Sequence, residues 1–288
     1  MKTLQEEINE IKISRESKAA KRQKLAKLGL QNYEITLIMS EIAPATTRQR
    51  FNVTFGVEIE CGVNMGILSN VARESNFNYQ IEGYNHHDGH SYFKFVSDGS
   101  LSITDAIECV SPVLQGSNGE ATLRNACETL NRAGAQVNST CGLHVHIGAS
   151  KLTDYQYISV FVNYSFLEDV IDTFMANSRR DNVYARTLKR VYGLAHCRTK
   201  ADVSHCMGCS RYYKVNAESY RRHKTIEFRQ HQGTTNFEKI LYWVKFCGKL
   251  VQWSRDNRLS NAISSIDDIP FLNEDEKRFF KNRASQLA

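Results

Sequence analysis

Three stretches far apart in the chain each set two charged or metal-competent side chains two residues apart inside an otherwise apolar run. They are Phe55-Gly56-Val57-Glu58-Ile59-Glu60, Cys141-Gly142-Leu143-His144-Val145-His146-Ile147 and Thr225-Ile226-Glu227-Phe228-Arg229-Gln230-His231. In a β-strand, residues i and i+2 point to the same face. The pattern therefore predicts a sheet with Val57, Ile59, Val145, Ile226 and Phe228 on one side and Glu58, Glu60, His144, His146, Glu227, Arg229 and His231 on the other. Each pair alone has an ordinary reading: a solvated edge strand, a common His-x-His, a salt bridge between strands. Charged pairs in apolar strands are costly unless cations or strong donors meet them. All three in one chain point to a surface that holds divalent cations against a polyphosphate.

The intervening sequence reads as an α+β domain with a mainly antiparallel sheet and flanking helices. Strand signals cover Val53 to Val63, Tyr92 to Val96, Ala106 to Val110 and Ile226 to Gln230. Helical patterns cover Glu120 to Ala133, Lys151 to Met175 with Thr153 and Asp154 as caps, and Asn236 to Arg255. Leu4 to Leu30 reads as one further helix, and Pro44 argues against a helix between Tyr33 and Gln49. The expected division is an N-terminal helical extension over residues 1–50 and a catalytic domain over 51–288.

A chain of 288 residues with 41% hydrophobic content has room for a sizeable core. The net charge of +6 suits phosphates or other anions but is far short of a nucleic-acid signature. Lys18, Lys21, Arg22, Lys24 and Lys27 read as a solvated face, with residues 1–30 the candidate for a protein partner or self-association. No apolar run long enough for a membrane span occurs, and the first thirty residues lack a secretory pattern. Eight cysteines without an export signal are expected to be free thiols or metal ligands, and the expected location is cytoplasmic.

One loop has its own chemistry. Ala195-His196-Cys197 and Ser204-His205-Cys206-Met207-Gly208-Cys209 gather three Cys and two His. The Cys-x-x-Cys spacing makes Cys197, His205, Cys206 and Cys209 candidate ligands of a structural zinc, against the alternative of free thiols.

Between Phe51 and Trp253 the chain resembles the amidoligase family, carboxylate-amine ligases similar in fold to glutamine synthetase and glutamate-cysteine ligase. The resemblance rests on the three stretches above, on Asp98-Gly99-Ser100-Leu101, on Glu108-Cys109-Val110-Ser111-Pro112-Val113-Leu114 and on Gly233-Thr234. It implies a glutamine-synthetase-like sheet and an ATP-dependent reaction in which a carboxylate becomes an acyl phosphate that an amine captures. It places two or three Mg²⁺ ions on Glu58, Glu60, Glu108, Glu227 and His144, with Glu60, Glu227, Arg211 and Arg229 carrying the chemistry. His146, Arg179, Arg211, Asn216, Arg229 and His231 would meet the nucleotide; Arg180 beside Arg179 shares that expectation, and Asp98 reads equally as a turn. The substrates implied are a small-molecule or peptide carboxylate and an amine. Two other readings remain: a Zn²⁺ or Mn²⁺ hydrolase on Glu58, His144 and Glu227, and a non-catalytic nucleotide- or peptide-binding module.

Overall fold

The computed structural model describes residues 2–13, 18–31, 34–35, 38, 53–83 and 89–288. Two compact units make up the chain, Met1–Arg50 and Phe51–Ala288. In the first, helices α1 (Leu4–Ile13) and α2 (Lys18–Lys27) share a small cluster of Ile8, Leu25 and Ile35. Helix α2 ends at Lys27, short of the expected Leu30, at a turn with Gly29 at φ 81°; residues 14–17, between the two helices, lie outside the described residues. Most of the Tyr33 to Gln49 connection, Pro44 included, also lies outside them. Lys21 corrects one expectation: it is 6% exposed, so that position of the basic run faces inward.

The second unit is built on an eight-stranded sheet. Its strands are β1 (Thr54–Gly62), β2 (Tyr79–Glu82), β3 (Phe93–Ser97), β4 (Ala106–Val110), β5 (Leu114–Gln115), β6 (Gly142–Gly148), β7 (Val215–Asn216) and β8 (Thr225–Gln232). Spatial order is β2-β3-β4-β1-β6-β8-β7, with β5 also pairing β1. Only the β2–β3 pair is parallel, so the mainly antiparallel α+β expectation holds at that level.

Alternation sends Phe55, Val57, Ile59, Phe93, Phe95, Leu143, Val145, Ile147, Ile226 and Phe228 into one core. Helices α4 (Gly116–Arg132), α5 (Asp154–Thr173) and α8 (Phe237–Trp253) contribute Leu123, Phe161, Trp243 and their neighbours to that core. Burying one such aromatic or aliphatic side chain contributes ~1.5–3 kcal/mol. This core fixes which face of every strand looks outward, and so places the acids.

Local signals set the helix ends. Thr153 caps α5 in a reciprocal box with Gln156, and the Asn236 side chain accepts from Lys239 N at the start of α8. Helix α3 (Met65–Glu74), opened by Asn64, is absent from the sequence reading because it buries only Leu68 and Ala72, too short a stripe to show periodicity. Also beyond that reading are α6 (Lys200–Cys206), α7 (Ser219–His223) and α9 (Glu274–Leu287). The last carries an Asn273/Glu276 capping box that the sequence does display.

The sheet departs from plain alternation once. Leu143 opposes His231 while Val145 opposes Phe228, so β8 carries one extra residue across from His144. This β-bulge turns the strand after Arg229. Arg179 braces it, donating from Nη2 to the Arg229 carbonyl at 2.8 Å and from Nε to the Gln230 carbonyl at 3.4 Å.

Candidate active site

The pairing register brings together the acids that the sequence scatters. Glu60 lies opposite Glu108 across β1–β4, Glu58 opposite His144 across β1–β6, and His146 opposite Glu227 across β6–β8. Two groups of donor atoms result, Glu58/His144/Glu227 and Glu60/Glu108/His144, each with its ligand atoms within 4.8 Å of one another. Among the described residues these are the groups of three or more acidic, His or Cys side chains close enough to hold one ion.

His144 is wedged between them. Its Nδ1 lies 2.8 Å from Glu58 Oε2 and 3.7 Å from Glu227 Oε1, while its Nε2 lies 3.5 Å from Glu60 Oε1. With Glu58 accepting the Nδ1 proton, the Nε2 lone pair faces a carboxylate oxygen. Two facing acceptors repel unless a proton or a cation stands between them. A neutral imidazole offers one lone pair, so His144 can ligate in one group at a time, and the other group must rely on its carboxylates.

Backbone geometry makes room for this. A Cβ on Gly142 would sit 2.7 Å from Arg179 Nη2, 3.1 Å from His144 Nε2 and 3.2 Å from Glu60 Oε2. The Gly142 N–H donates to Glu60 Oε2 at 2.5 Å and so aims that carboxylate. No residue other than glycine fits here without moving the cluster.

The electrostatics are those of a crowded anionic surface. Burial opposes charge on Glu58, yet His146 and His144 hold its carboxyl well below the usual range. For Glu108, burial and the neighbouring Glu58, Glu60 and Asp98 all act in one direction and raise it well above that range. Burial also opposes charge on Glu227, and Arg229 and His146 outweigh it, so its pKa is lowered. His146 is raised despite burial, chiefly by Glu58; its Nε2 is 3.2 Å from Glu58 Oε1 and its Nδ1 2.9 Å from Thr225 Oγ1. Arg229 donates from Nη1 to Glu227 Oε1 at 2.5 Å, while its Nε is buried with no hydrogen-bond partner. An orphan guanidinium N–H in such a site is a donor that an anionic ligand would satisfy.

The other expected residues are placed as follows. Asn216 Nδ2 donates to Glu227 Oε2 at 2.5 Å, so it orients one member of the Glu58/His144/Glu227 group. Arg179 sits beside Glu60 and braces the bulge carbonyls, whereas Arg180 is occupied with the carbonyls of Met175 and Leu287. Arg211 has its guanidinium 5.2 Å from the Tyr212 ring centroid and donates from Nη2 to the Tyr212 hydroxyl at 3.4 Å. Asp98 closes a turn, accepting from Ser100 N and Oγ, although its charge still reaches Glu108.

Two expectations need correction. His231 leaves the polar face because the bulge switches the alternation; it is buried against Trp243, with ring centroids 5.8 Å apart and Nδ1 at the Gln232 carbonyl. The Cys/His loop does not assemble four zinc ligands. Gly208 and Cys209 both adopt left-handed backbone, with φ of 63° and 50°, and Cys209 Sγ faces Ser204 Oγ rather than Cys206.

The structure also adds residues that the sequence reading passed over. Lys214, fully buried, bonds Glu168 Oε1 at 2.9 Å and Asp172 Oδ1 at 2.7 Å, and Gln230 joins Asp172 to Tyr164. This network ties β7 and β8 to α5 beneath the bulge. The available signal was Glu168 inside the apolar run Phe166-Leu167-Glu168-Asp169-Val170-Ile171.

Residues 51–251 match the sequence profile of a family described as "Putative amidoligase enzyme". The chain belongs to the amidoligase family. The match spans both donor groups, Arg179, Arg229 and the Gly142 cradle, so family and geometry concern the same residues. A search of curated protein sequences gave no match. Among solved structures, a bifunctional glutathione synthetase from Pasteurella multocida aligns at 12% identity and a TM-score of 0.39, over 84% of this amidoligase and 41% of that protein. The chain thus spans about two-fifths of that enzyme's length, and at this TM-score the likeness carries no weight for fold or mechanism. Among the described residues, no helix is long and apolar enough to cross a membrane.

Proposed function

We propose that this amidoligase joins a carboxylate to an amine at the expense of ATP, on the polar face of a glutamine-synthetase-like sheet, through an acyl phosphate. The observation that carries the reading is the pair of cation-competent groups sharing His144, with the Arg229 guanidinium against one of them. The donor set fits hard cations: Glu58, Glu60, Glu108 and Glu227 supply oxygen, the ligand type Mg²⁺ prefers, and one imidazole completes the face. Bound there, the ions would supply charge neutralisation for the transferring phosphoryl group.

The chain's own residues then divide the work. Glu60 is aimed by Gly142 and Glu227 by Asn216, so neither carboxylate has to reorganise on binding. Arg229 donates from Nη1 to Glu227 and carries a buried Nε with no partner, so it would offer that Nε to a phosphate oxygen. Arg179 holds the bulge that aims Arg229. His146, partly buried, has Nδ1 on Thr225 and Nε2 on Glu58, and so fixes the Glu58 carboxylate beside the proposed phosphate position.

The test is thermal melting with Mg²⁺, with and without a non-hydrolysable ATP analogue. A nucleotide at ~100 times its Kd should add about 2.7 kcal/mol of stability. E60Q and E227Q should lose most of that gain while keeping the unliganded melting temperature within a few degrees. Equal nucleotide stabilisation in both variants would remove the site assignment. Stabilisation by metal to which the nucleotide adds nothing would favour the hydrolase. In extracts supplied with ATP, products one water lighter than acid plus amine identify the substrates.

A further inference from the structure

The loop that fails as a zinc knuckle brings a different pair of cysteines together. Cys197 follows the short turn Leu194–His196, and Cys206 is the last residue of α6; their Sγ atoms are 3.5 Å apart. Cys206 is exposed and Cys197 partly so, while Cys61, Cys109, Cys127, Cys141 and Cys247 are buried. Sequence spacing would pair Cys206 with Cys209, but the left-handed turn at Gly208 and Cys209 sends that thiol to Ser204 Oγ, 3.6 Å away. The turn at Gly193, with φ of 82°, brings the Gly193 carbonyl to 3.6 Å from Cys197 Sγ and aims that thiol at α6.

We propose that Cys197 and Cys206 are a dithiol modification site that reacts with small-molecule disulfides and closes as an intrachain disulfide. The exposed Cys206 thiolate attacks one sulfur of RS–SR; that bond breaks and the first RS⁻ leaves, taking a proton from water. Cys197 then gives its proton to solvent and attacks the Cys206 sulfur, expelling the second RS⁻. Two protein thiols are oxidised and one disulfide is reduced to two thiols. The sulfurs must close from 3.5 Å to about 2.0 Å, a movement available where a helix ends. Burial and the adjoining Cys206 push the Cys197 thiol up to about 12, which leaves the first attack to Cys206; once Cys206 is in the mixed disulfide, its share of that rise is gone.

The pair is connected to the polar face. From α6, the Ser204 hydroxyl donates to the Glu218 carboxylate, the Glu218 N–H donates to Asn216 Oδ1 at 2.7 Å, and Asn216 donates to Glu227. Closing the thiols therefore fixes the helix standing behind one cation-facing acid. That consequence rests on the proposed function; the disulfide itself does not.

The experiment is incubation of the full chain with glutathione disulfide, acid quench, and mass spectrometry of intact and digested protein. Expected is a product about 2 Da lighter than the reduced chain, with a peptide linking Cys197 to Cys206. C209S should close as fully as the parent, C197S should hold one glutathione on Cys206, and C206S should give neither link nor adduct at Cys197. A Cys206–Cys209 link, an accumulating mixed disulfide on the unsubstituted chain, or thiols that stay free would each overturn the proposal. The unsubstituted chain and C209S alone decide the matter if a substitution at 197 or 206 prevents folding. Activity need not be measured, so failure here leaves the ligase reading untouched, and failure of the ligase reading leaves the disulfide standing.

Discussion

Acid should weaken this protein through one imidazole that the bulge has turned into the core. Burial, opposed by the hydrogen bond to the Gln232 carbonyl and aided by the cations Arg283, Arg179 and Lys239, pushes the His231 pKa from 6.5 down to about 3. A depressed folded-state pKa contributes stability that is complete above the unfolded value and is lost as pH falls from about 6.5 toward 3. One pKa unit corresponds to about 1.4 kcal/mol. At about pH 5 the unfolded chain has taken up the proton and the native chain has not, so the loss from this residue is about 2 kcal/mol. For a chain of this size that is ~4–8 °C in Tm. The assay compares Tm against pH for the native chain and for H231N, since every other titrating group cancels in the difference. The native chain should lose ~4–8 °C more than the variant between neutral pH and about pH 5. Parallel curves would refute both the buried-neutral imidazole and the bulge that puts it there.

Other measurements test the polar face and its supports. G142A adds a Cβ into the space between Arg179, His144 and Glu60; it should cost roughly 10–100-fold in Mg²⁺ affinity with the fold retained by circular dichroism. K214M leaves Glu168 and Asp172 without their shared cation and should destabilise the chain by about 3–5 kcal/mol in urea; a loss under 1 kcal/mol would show that the network is dispensable. Mg²⁺ should stabilise more strongly as pH rises. Glu108 is raised, so its contribution to the ion-free fold is complete below the ordinary carboxylate pKa and is lost as pH rises through its folded value. A cation offsets that loss and expels the proton. Calorimetry in buffers of different ionisation enthalpy should report proton release on Mg²⁺ binding, and its absence would contradict the raised Glu108 carboxyl.

The two faces of the sheet were legible because strand alternation is a local rule. Glu58, Glu60, His144, His146 and Glu227 each needed only their immediate neighbours to be assigned a side, and an apolar core on the other side enforced it. His231 broke the rule for a reason no local window contains. The extra residue on β8 is braced by Arg179, fifty residues earlier in the chain, and backed by Gln230 joining Tyr164 to Asp172 from α5. The same limit explains Gly142, whose neighbours Arg179 and Glu60 come from other elements.

The Cys/His loop shows the converse error, a spacing rule applied where backbone conformation overrides it. Cys-x-x-Cys presents two thiols to one ion only if the two intervening residues turn the right way, and left-handed backbone at Gly208 and Cys209 turns them apart. Both surprises thus have one physical origin. A motif counts residues along the chain, whereas a site depends on where each Cβ points, and one inserted strand residue or one left-handed turn reverses that direction. At β8 the reversal removes a histidine from the polar face and leaves Arg229 as the last side chain aimed into it, with its Nε unpaired. The bulge is therefore best regarded as the device that ends the strand's contribution to the site at a guanidinium, and Arg179 as the residue that holds it there.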